Sequence, residues 1–183
     1  MPELKHGFIK IYSGGMFAGK TDAMISDLER AMYAKKAIIC YKPAIDTRFG
    51  ENIVKSRSRT TTIKATVLPV DGTPEDVLAI LEQTQDVDVV GFDEVQFFGE
   101  WIVKVISKLR LAGKKVVVNG LNMTFEGIPF NTTRCIMGIA DQVEIFHAVC
   151  MCCGADALFS QKLINGLPAK GGSSVDIEDV SGK

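Results

Sequence analysis

Eight residues near the start of the chain, Gly14-Gly15-Met16-Phe17-Ala18-Gly19-Lys20-Thr21, match the pattern G-x-x-x-x-G-K-[ST]. A polyphosphate needs backbone N–H groups converging on it, a backbone that Cβ atoms do not hold at a distance, and the positive end of a helix dipole. The glycines supply the close approach, Lys20 reaches the β- and γ-phosphates, and Thr21 offers a hydroxyl to Mg2+. Gly14 through Thr21 are therefore candidate nucleotide-binding residues. A second candidate is the pair Asp93-Glu94, which closes the apolar run Val87-Asp88-Val89-Val90-Gly91-Phe92. An acid at the C-terminal end of a strand is where an enzyme with such a phosphate loop keeps a carboxylate beside its Mg2+. Side chains of consecutive residues on an extended backbone point apart. Asp93 and Glu94 thus reach one metal together only through a turn, and the expectation is that one holds Mg2+ while the other faces the acceptor.

A third cluster, Cys150-x-x-Cys153-Gly154, is half of a structural zinc site. Zn2+ takes four ligands in a tetrahedron, usually from two such pairs on two loops. No second C-x-x-C or His pair follows in the sequence. Cys135, Cys152 and His147 are available, but their spacing gives no positive reason to include them, and His147 is expected in the core or beside a helix.

The elements that must position these groups follow from hydrophobic periodicity. Phe8-Ile9-Lys10-Ile11-Tyr12 reads as a strand, and Met24, Ile25, Leu28, Ala31 and Met32 recur at helical spacing behind the glycine-rich turn. Ala37 to Tyr41 is a strand apolar on both faces, as in a buried parallel sheet. Residues 43 to 62, polar and basic without periodicity, read as a long mobile loop, the length typical of lids and binding loops. Thr66-Val67-Leu68 is a short strand. Thr73-Pro74-Glu75-Asp76 then looks like an N-cap with Pro at the first helical position, opening a helix whose apolar face is Val77, Leu78 and Leu81.

Trp101, Ile102, Val105, Ile106, Leu109 and Ala112 give the strongest helical pattern, and Lys115 to Asn119 another buried strand. The segment after it, residues 120 to 130, mixes glycines with apolar side chains at the edge where parallel sheets bind ligands. Leu121, Phe125 and Phe130 are candidates there to enclose a flat, partly apolar ligand. Gln142 to Phe146 is the last strand before the cysteines, and Ala157 to Leu163 with Ser174 to Val180 look like hairpin arms flanking Asn165-Gly166. The alternation predicts an α/β fold of the P-loop NTPase class, a mostly parallel sheet, with a small C-terminal lobe bearing the cysteines.

Composition narrows the function classes. The 183 residues suit one domain, with a hydrophobic fraction of 46% and a charged fraction of 23%. A net charge of -1 offers no broad attraction to a nucleic-acid backbone, so a polymer is not the expected partner. Met1 to His6 lacks an apolar signal core, and no run approaches the ~20 apolar residues of a membrane span. A soluble, cytoplasmic protein is expected. Five cysteines, three of them in Cys150-Met151-Cys152-Cys153, point to metal binding or free thiols rather than disulfides.

Five collinear stretches together resemble the type II thymidine kinase family: the phosphate loop with Met16-Phe17, Tyr41 to Phe49, Asp93 to Phe98, Gly120 to Phe125, and Ala148 to Gly154. The match runs from about residue 8 to residue 163. The resemblance implies a RecA-like domain over residues 1–147, a zinc-bearing lasso domain over 148–183, and commonly a homotetramer. It implies ATP-dependent phosphorylation of the 5′-hydroxyl of deoxythymidine, with ATP, Mg2+ and structural Zn2+ as cofactors. Carried over, Glu94 is the general base, Asp93 and Thr21 serve Mg2+, and Gln96 stands with the nucleotide-binding residues. Arg48 and Asp46 belong to a lid over the phosphates. Met16, Phe97, Leu121, Phe125, Phe130 and Ser160 line the thymidine pocket, Val175 and Ile177 belong to the lasso, and Cys150 and Cys153 hold Zn2+. The family's lasso ends with a Tyr and a second cysteine or histidine pair, neither of which falls within these residues. A RecA-like ATPase or nucleic-acid-binding module is the alternative, favoured only by the basic stretch Lys55 to Arg59.

Overall fold

The apolar runs become strands, and the residues between them decide how the strands are joined. A computed structural model describes residues 6–48, 50, 52–56 and 60–169. In chain order the elements are β1 (Phe8–Gly14), α1 (Lys20–Tyr33), β2 (Ile38–Pro43), β3 (Ile53–Lys55), β4 (Thr62–Lys64) and β5 (Thr66–Leu68). There follow α2 (Pro74–Gln83), β6 (Val89–Phe92), a 3-10 turn at Val95–Phe97, α3 (Trp101–Leu111), β7 (Lys115–Leu121), α4 (Asn131–Ile139) and β8 (Gln142–Phe146). The C-terminal part holds two short hairpins, β9 (Ala148–Val149) with β10 (Asp156–Ala157), and β11 (Leu163–Ile164) with β12 (Leu167–Pro168).

Six strands form one sheet in the order β5-β2-β6-β7-β1-β8, and every pairing in it is parallel. Parallel strands need crossovers, and the helices that supply them bury both faces. Alternate residues therefore enter two separate cores. Ile9, Ile11, Val90, Phe92, Val116 and Val118 pack with Ile80 of α2, Ile102, Val105, Ile106 and Leu109 of α3, and Ile136 of α4. Tyr12, Cys40, Val89 and Val117 turn the other way, onto Met24, Ile25 and Leu28 of α1. The period-two pattern of the strands and the helical spacing of α1 and α3 thus meet in one packing scheme.

Helix α2 starts as its sequence demands. The Thr73 hydroxyl accepts from the Asp76 N–H at 3.3 Å, and the Asp76 carboxylate accepts from the Thr73 N–H at 2.8 Å, a reciprocal capping box with Pro74 behind it. Its buried face, however, is centred on Ile80, while Leu78 is 60% exposed. In α1, Met32 likewise points outward at 51% exposure.

Several further expectations are corrected. Residues 43 to 62 do not form a structureless loop: β3 pairs with β4, with Val54 opposite Ile63, and both side chains are buried against α1's side of the sheet. Two buried apolar residues in a polar stretch are enough to dock a hairpin, and they carry no periodicity long enough to read. Lys42 pins this segment from inside, donating to the carbonyls of Gly50 at 3.0 Å and Ile53 at 3.3 Å while only 1% exposed. Asn165-Gly166 does sit at a hairpin tip, with both residues at positive φ. The strand that follows the tip is Leu167–Pro168, paired with Leu163–Ile164; Ser174 to Val180 lie outside the described residues. His147 is neither in the core nor on a helix; it is exposed and lies 3.6 Å from Asp156.

Candidate active site

Three neighbouring strands, β6, β7 and β1, bring their carboxyl ends together at one edge. The register pairs Phe92 with Val118 across β6 and β7, and Tyr12 with Asn119 and Gly14 with Leu121 across β1 and β7. Asp93-Glu94, Asn119 to Leu121 and the glycine-rich loop are side by side for that reason alone.

The loop has the backbone a phosphate cradle requires. Gly19 caps α1 in the left-handed region at φ 88°, which glycine adopts at no steric cost. A Cβ on Gly14 would stand 2.0 Å from the Phe146 carbonyl oxygen, so only glycine lets β1 turn beside β8. Lys20 is 7% exposed, and its ammonium donates to the Gly15 carbonyl at 2.5 Å. Burial lowers its pKa, opposed by the charges of Glu94 and Asp93. Thr21 follows at the start of α1.

Asp93 is 5% exposed, and its Oδ1 is buried with no hydrogen-bond partner in the protein. Burial, with the charges of Glu94 and Asp46, raises its pKa to about 7. A buried carboxylate oxygen without a partner is costly unless something else meets it. Here it stands close enough to Lys20 to act on its titration. The orphan oxygen, the Thr21 hydroxyl and the glycine cradle fit a nucleotide-bound Mg2+.

Glu94 occupies the left-handed region at φ 49° and ψ 48°, a strained setting for a non-glycine residue. Its carboxylate is held on both oxygens: Arg48 donates to Oε1 and the Gln96 amide donates to Oε2 at 2.6 Å. Arg48 also donates to Asp46 at 2.8 Å, so the segment after β2 reaches Glu94 through an Asp46–Arg48–Glu94 chain. Burial works to raise the Asp46 pKa, but its hydrogen bonds and ion pair with Arg48 hold it below the usual carboxylate range. Gln96 is buried and uses its other end as well, accepting from the Leu121 N–H at 2.9 Å. Expected among the nucleotide-binding residues, its amide spans the turn at Glu94 and β7.

The apolar candidates also converge. The Met16 N–H donates to the Ser160 hydroxyl at 2.8 Å, and the Asn122 amide donates to the Leu158 carbonyl at 3.1 Å. Residues 158 to 162 therefore run across both the phosphate loop and the segment after β7. Phe130 is tied to that segment by its N–H to the Asn122 carbonyl at 3.1 Å, and the Lys162 ammonium lies 5.5 Å from the Phe125 ring. Met16, Leu121, Phe125, Phe130 and Ser160 thus flank one edge of the sheet, with Phe97 half-buried on the turn after Glu94. Val175 and Ile177 lie outside the described residues.

Sequence reasoning passed over Asn119. It ends a valine-rich run and reads as the close of a strand, yet its fully buried amide accepts from the Glu94 N–H at 3.0 Å and donates to the Thr21 hydroxyl at 3.3 Å. A polar residue in a buried strand was the available signal.

At the cysteines, Gly154 turns at φ 73° and returns its N–H to the Cys150 carbonyl at 2.8 Å. The backbone N–H groups of Cys152 and Cys153 pull the Cys150 thiol pKa down. Among the described residues, all five cysteines are unpaired and no three His, Cys, Asp or Glu side chains gather as a metal site.

Comparison with known proteins adds the family. The thymidine kinase family model matches residues 7–178. A thymidine kinase of Coprothermobacter proteolyticus is 41% identical over 164 residues, which cover 90% of this chain and 79% of that protein. A solved structure of a DNA replication initiation factor overlays with a TM-score of 0.44 at 13% identity, covering 76% of this chain and 40% of that one, too distant to bear on function. With a phosphate cradle, a paired acid turn and a match along nearly its whole length, the chain belongs to the thymidine kinase family.

Proposed function

We propose that this kinase moves the γ-phosphate of ATP to the 5′-hydroxyl of deoxythymidine, giving dTMP and ADP, with Glu94 as general base. The observation that carries the assignment is the Glu94 carboxylate, fixed from both sides by Arg48 and Gln96, with only β7 between its strand and the one that ends in the phosphate loop. Phosphoryl transfer asks the protein for positioning and electrostatic stabilisation more than for covalent chemistry. The glycine cradle and Lys20 hold the phosphates. Glu94 takes the 5′-hydroxyl proton as the new O–P bond forms and the bond from the γ-phosphorus to the β–γ bridging oxygen breaks. General-base assistance of this kind contributes about 10²- to 10⁴-fold. Thr21 and Asp93 would hold Mg2+, which when bound would supply neutralisation of the phosphate charge. Arg48 with Asp46 closes the lid segment over this edge.

Met16, Phe97, Leu121, Phe125, Phe130 and Ser160 line the nucleoside pocket, with Val175 and Ile177 in the lasso. The convergence of residues 158 to 162 on the phosphate loop supports this reading. Residues 1–147 form the catalytic domain and 148–183 the zinc and lasso domain, in which Cys150 and Cys153 supply two zinc ligands. The tight Gly154 turn and the lowered Cys150 thiol support that half of the site. Assembly as a homotetramer rests on the family resemblance, and a cytoplasmic location on the N-terminal sequence, which carries no apolar signal core. No helix among the described residues is long and apolar enough to cross a membrane. A panel of nucleosides with ATP and Mg2+ tests the reading: phosphorylation dependent on deoxythymidine supports it, and turnover stimulated by single-stranded DNA in place of any nucleoside overturns it.

A further inference from the structure

Both halves of the active site meet at one side chain that neither motif contains. Asn119 lies on β7, between the strand that ends in the phosphate loop and the strand that ends in the acid turn. Its amide orientation is fixed by its neighbours. A backbone N–H can only donate, so the oxygen must face Glu94, and the NH2 group then faces the Thr21 hydroxyl.

Each contact has a consequence for the reaction. The Glu94 N–H is tied while Glu94 sits at φ 49°, a conformation that persists only where the surroundings impose it. The Thr21 oxygen has two lone pairs; the amide N–H engages one, which turns the hydroxyl and leaves the other for a cation.

We propose that Asn119 is a positioning residue that fixes the general base and the Thr21 hydroxyl relative to each other across the sheet edge. The proposal rests on the assignment of Glu94 as base. Its role differs from core packing: apolar residues fill the same strand on either side, and a valine in this place would pack without tying either group.

The test compares wild type with Asn119→Ala, Asn119→Thr and Glu94→Gln, each checked by circular dichroism for the folded fraction. Rates are measured at varied deoxythymidine, ATP and Mg2+. Asn119→Ala is expected to lower kcat about 10- to 100-fold and to raise half-saturating Mg2+ about 10-fold, with the KM for deoxythymidine little changed. Asn119→Thr keeps the side-chain volume and one hydroxyl that can engage a single neighbour, and is expected to lose less in the same direction. If Ala does not fold, the Thr variant carries the test. Unchanged kcat and Mg2+ requirement per folded molecule, with Glu94→Gln inactive, overturns the role of Asn119 alone. Full activity in Glu94→Gln overturns the base assignment and the proposal with it.

Discussion

Replacing Gln96 with leucine removes one of the two clamps on Glu94, the proposed general base, and the structure sets the size of the effect. The Gln96 amide donates to the Glu94 carboxylate at 2.6 Å and accepts from the Leu121 N–H at 2.9 Å, from a position only 7% exposed. A hydrogen bond to a charged group is worth about 1.5–3 kcal/mol, and an abandoned buried N–H costs about 1–3 kcal/mol. Leucine fills the volume and supplies neither contact, so the loss is roughly 2.5–6 kcal/mol of stability, read as a fall in Tm of roughly 5–24 °C for a chain of this size. Catalysis suffers separately. Glu94 keeps its Arg48 partner but loses the contact that fixes its second oxygen, and kcat is expected to drop by at least about 10-fold, part of the general-base contribution. The KM for ATP, set by the phosphate loop, stays near its wild-type value. Gln96→Glu separates the two effects, because it keeps an acceptor for Leu121 while presenting a like charge to Glu94. It should retain more stability than the leucine variant and recover no activity. A Gln96→Leu protein with wild-type Tm and kcat would refute the clamp.

Asp93 gives metal-free protein a pH dependence. Its raised pKa means the folded state holds the proton more tightly than the unfolded state, so its contribution is full below the ordinary carboxylate value of 3.8 and is lost as pH rises to about 7. Chemical denaturation without Mg2+ should show stability falling by a few kcal/mol through this window, and Asp93→Asn should flatten the slope and weaken Mg2+ binding. The corrected face of α2 predicts that Ile80→Ala costs about 2–5 kcal/mol while Leu78→Ala stays within about 0.5 kcal/mol, measured by urea unfolding. Cys150→Ser should abolish bound zinc by metal analysis; zinc content equal to wild type contradicts the ligand assignment.

The site was more legible than its supports. The phosphate loop and the acid pair were readable because each needs particular residue types at fixed spacing, and the parallel sheet because its strands are nearly continuous apolar runs. Helix α4 was missed. Its sequence, Asn-Thr-Thr-Arg-Cys-Ile-Met-Gly-Ile, is rich in weak helix formers, and it is held instead by tertiary contacts such as the Thr132 hydroxyl donating to the Phe98 carbonyl at 2.6 Å and the buried Ile136. The β3–β4 hairpin escaped for a different reason: its strands are three residues each, too short for a period to show. Leu78 shows the opposite error, an apolar residue assigned inward by type when the phase of its helix turns it to solvent. Asn119 and Gln96 were invisible as partners because their value lies in joining segments far apart in sequence.

The central claim is that Glu94 removes the proton from a nucleoside hydroxyl beside ATP held by the glycine-rich loop. Following transfer of labelled γ-phosphate from ATP to deoxythymidine by wild type and by Glu94→Gln tests it most directly. The account predicts labelled dTMP from wild type and a loss of about 10²- to 10⁴-fold in the variant, with ATP still bound. Equal rates from the two proteins, or no labelled dTMP from wild type, would contradict it.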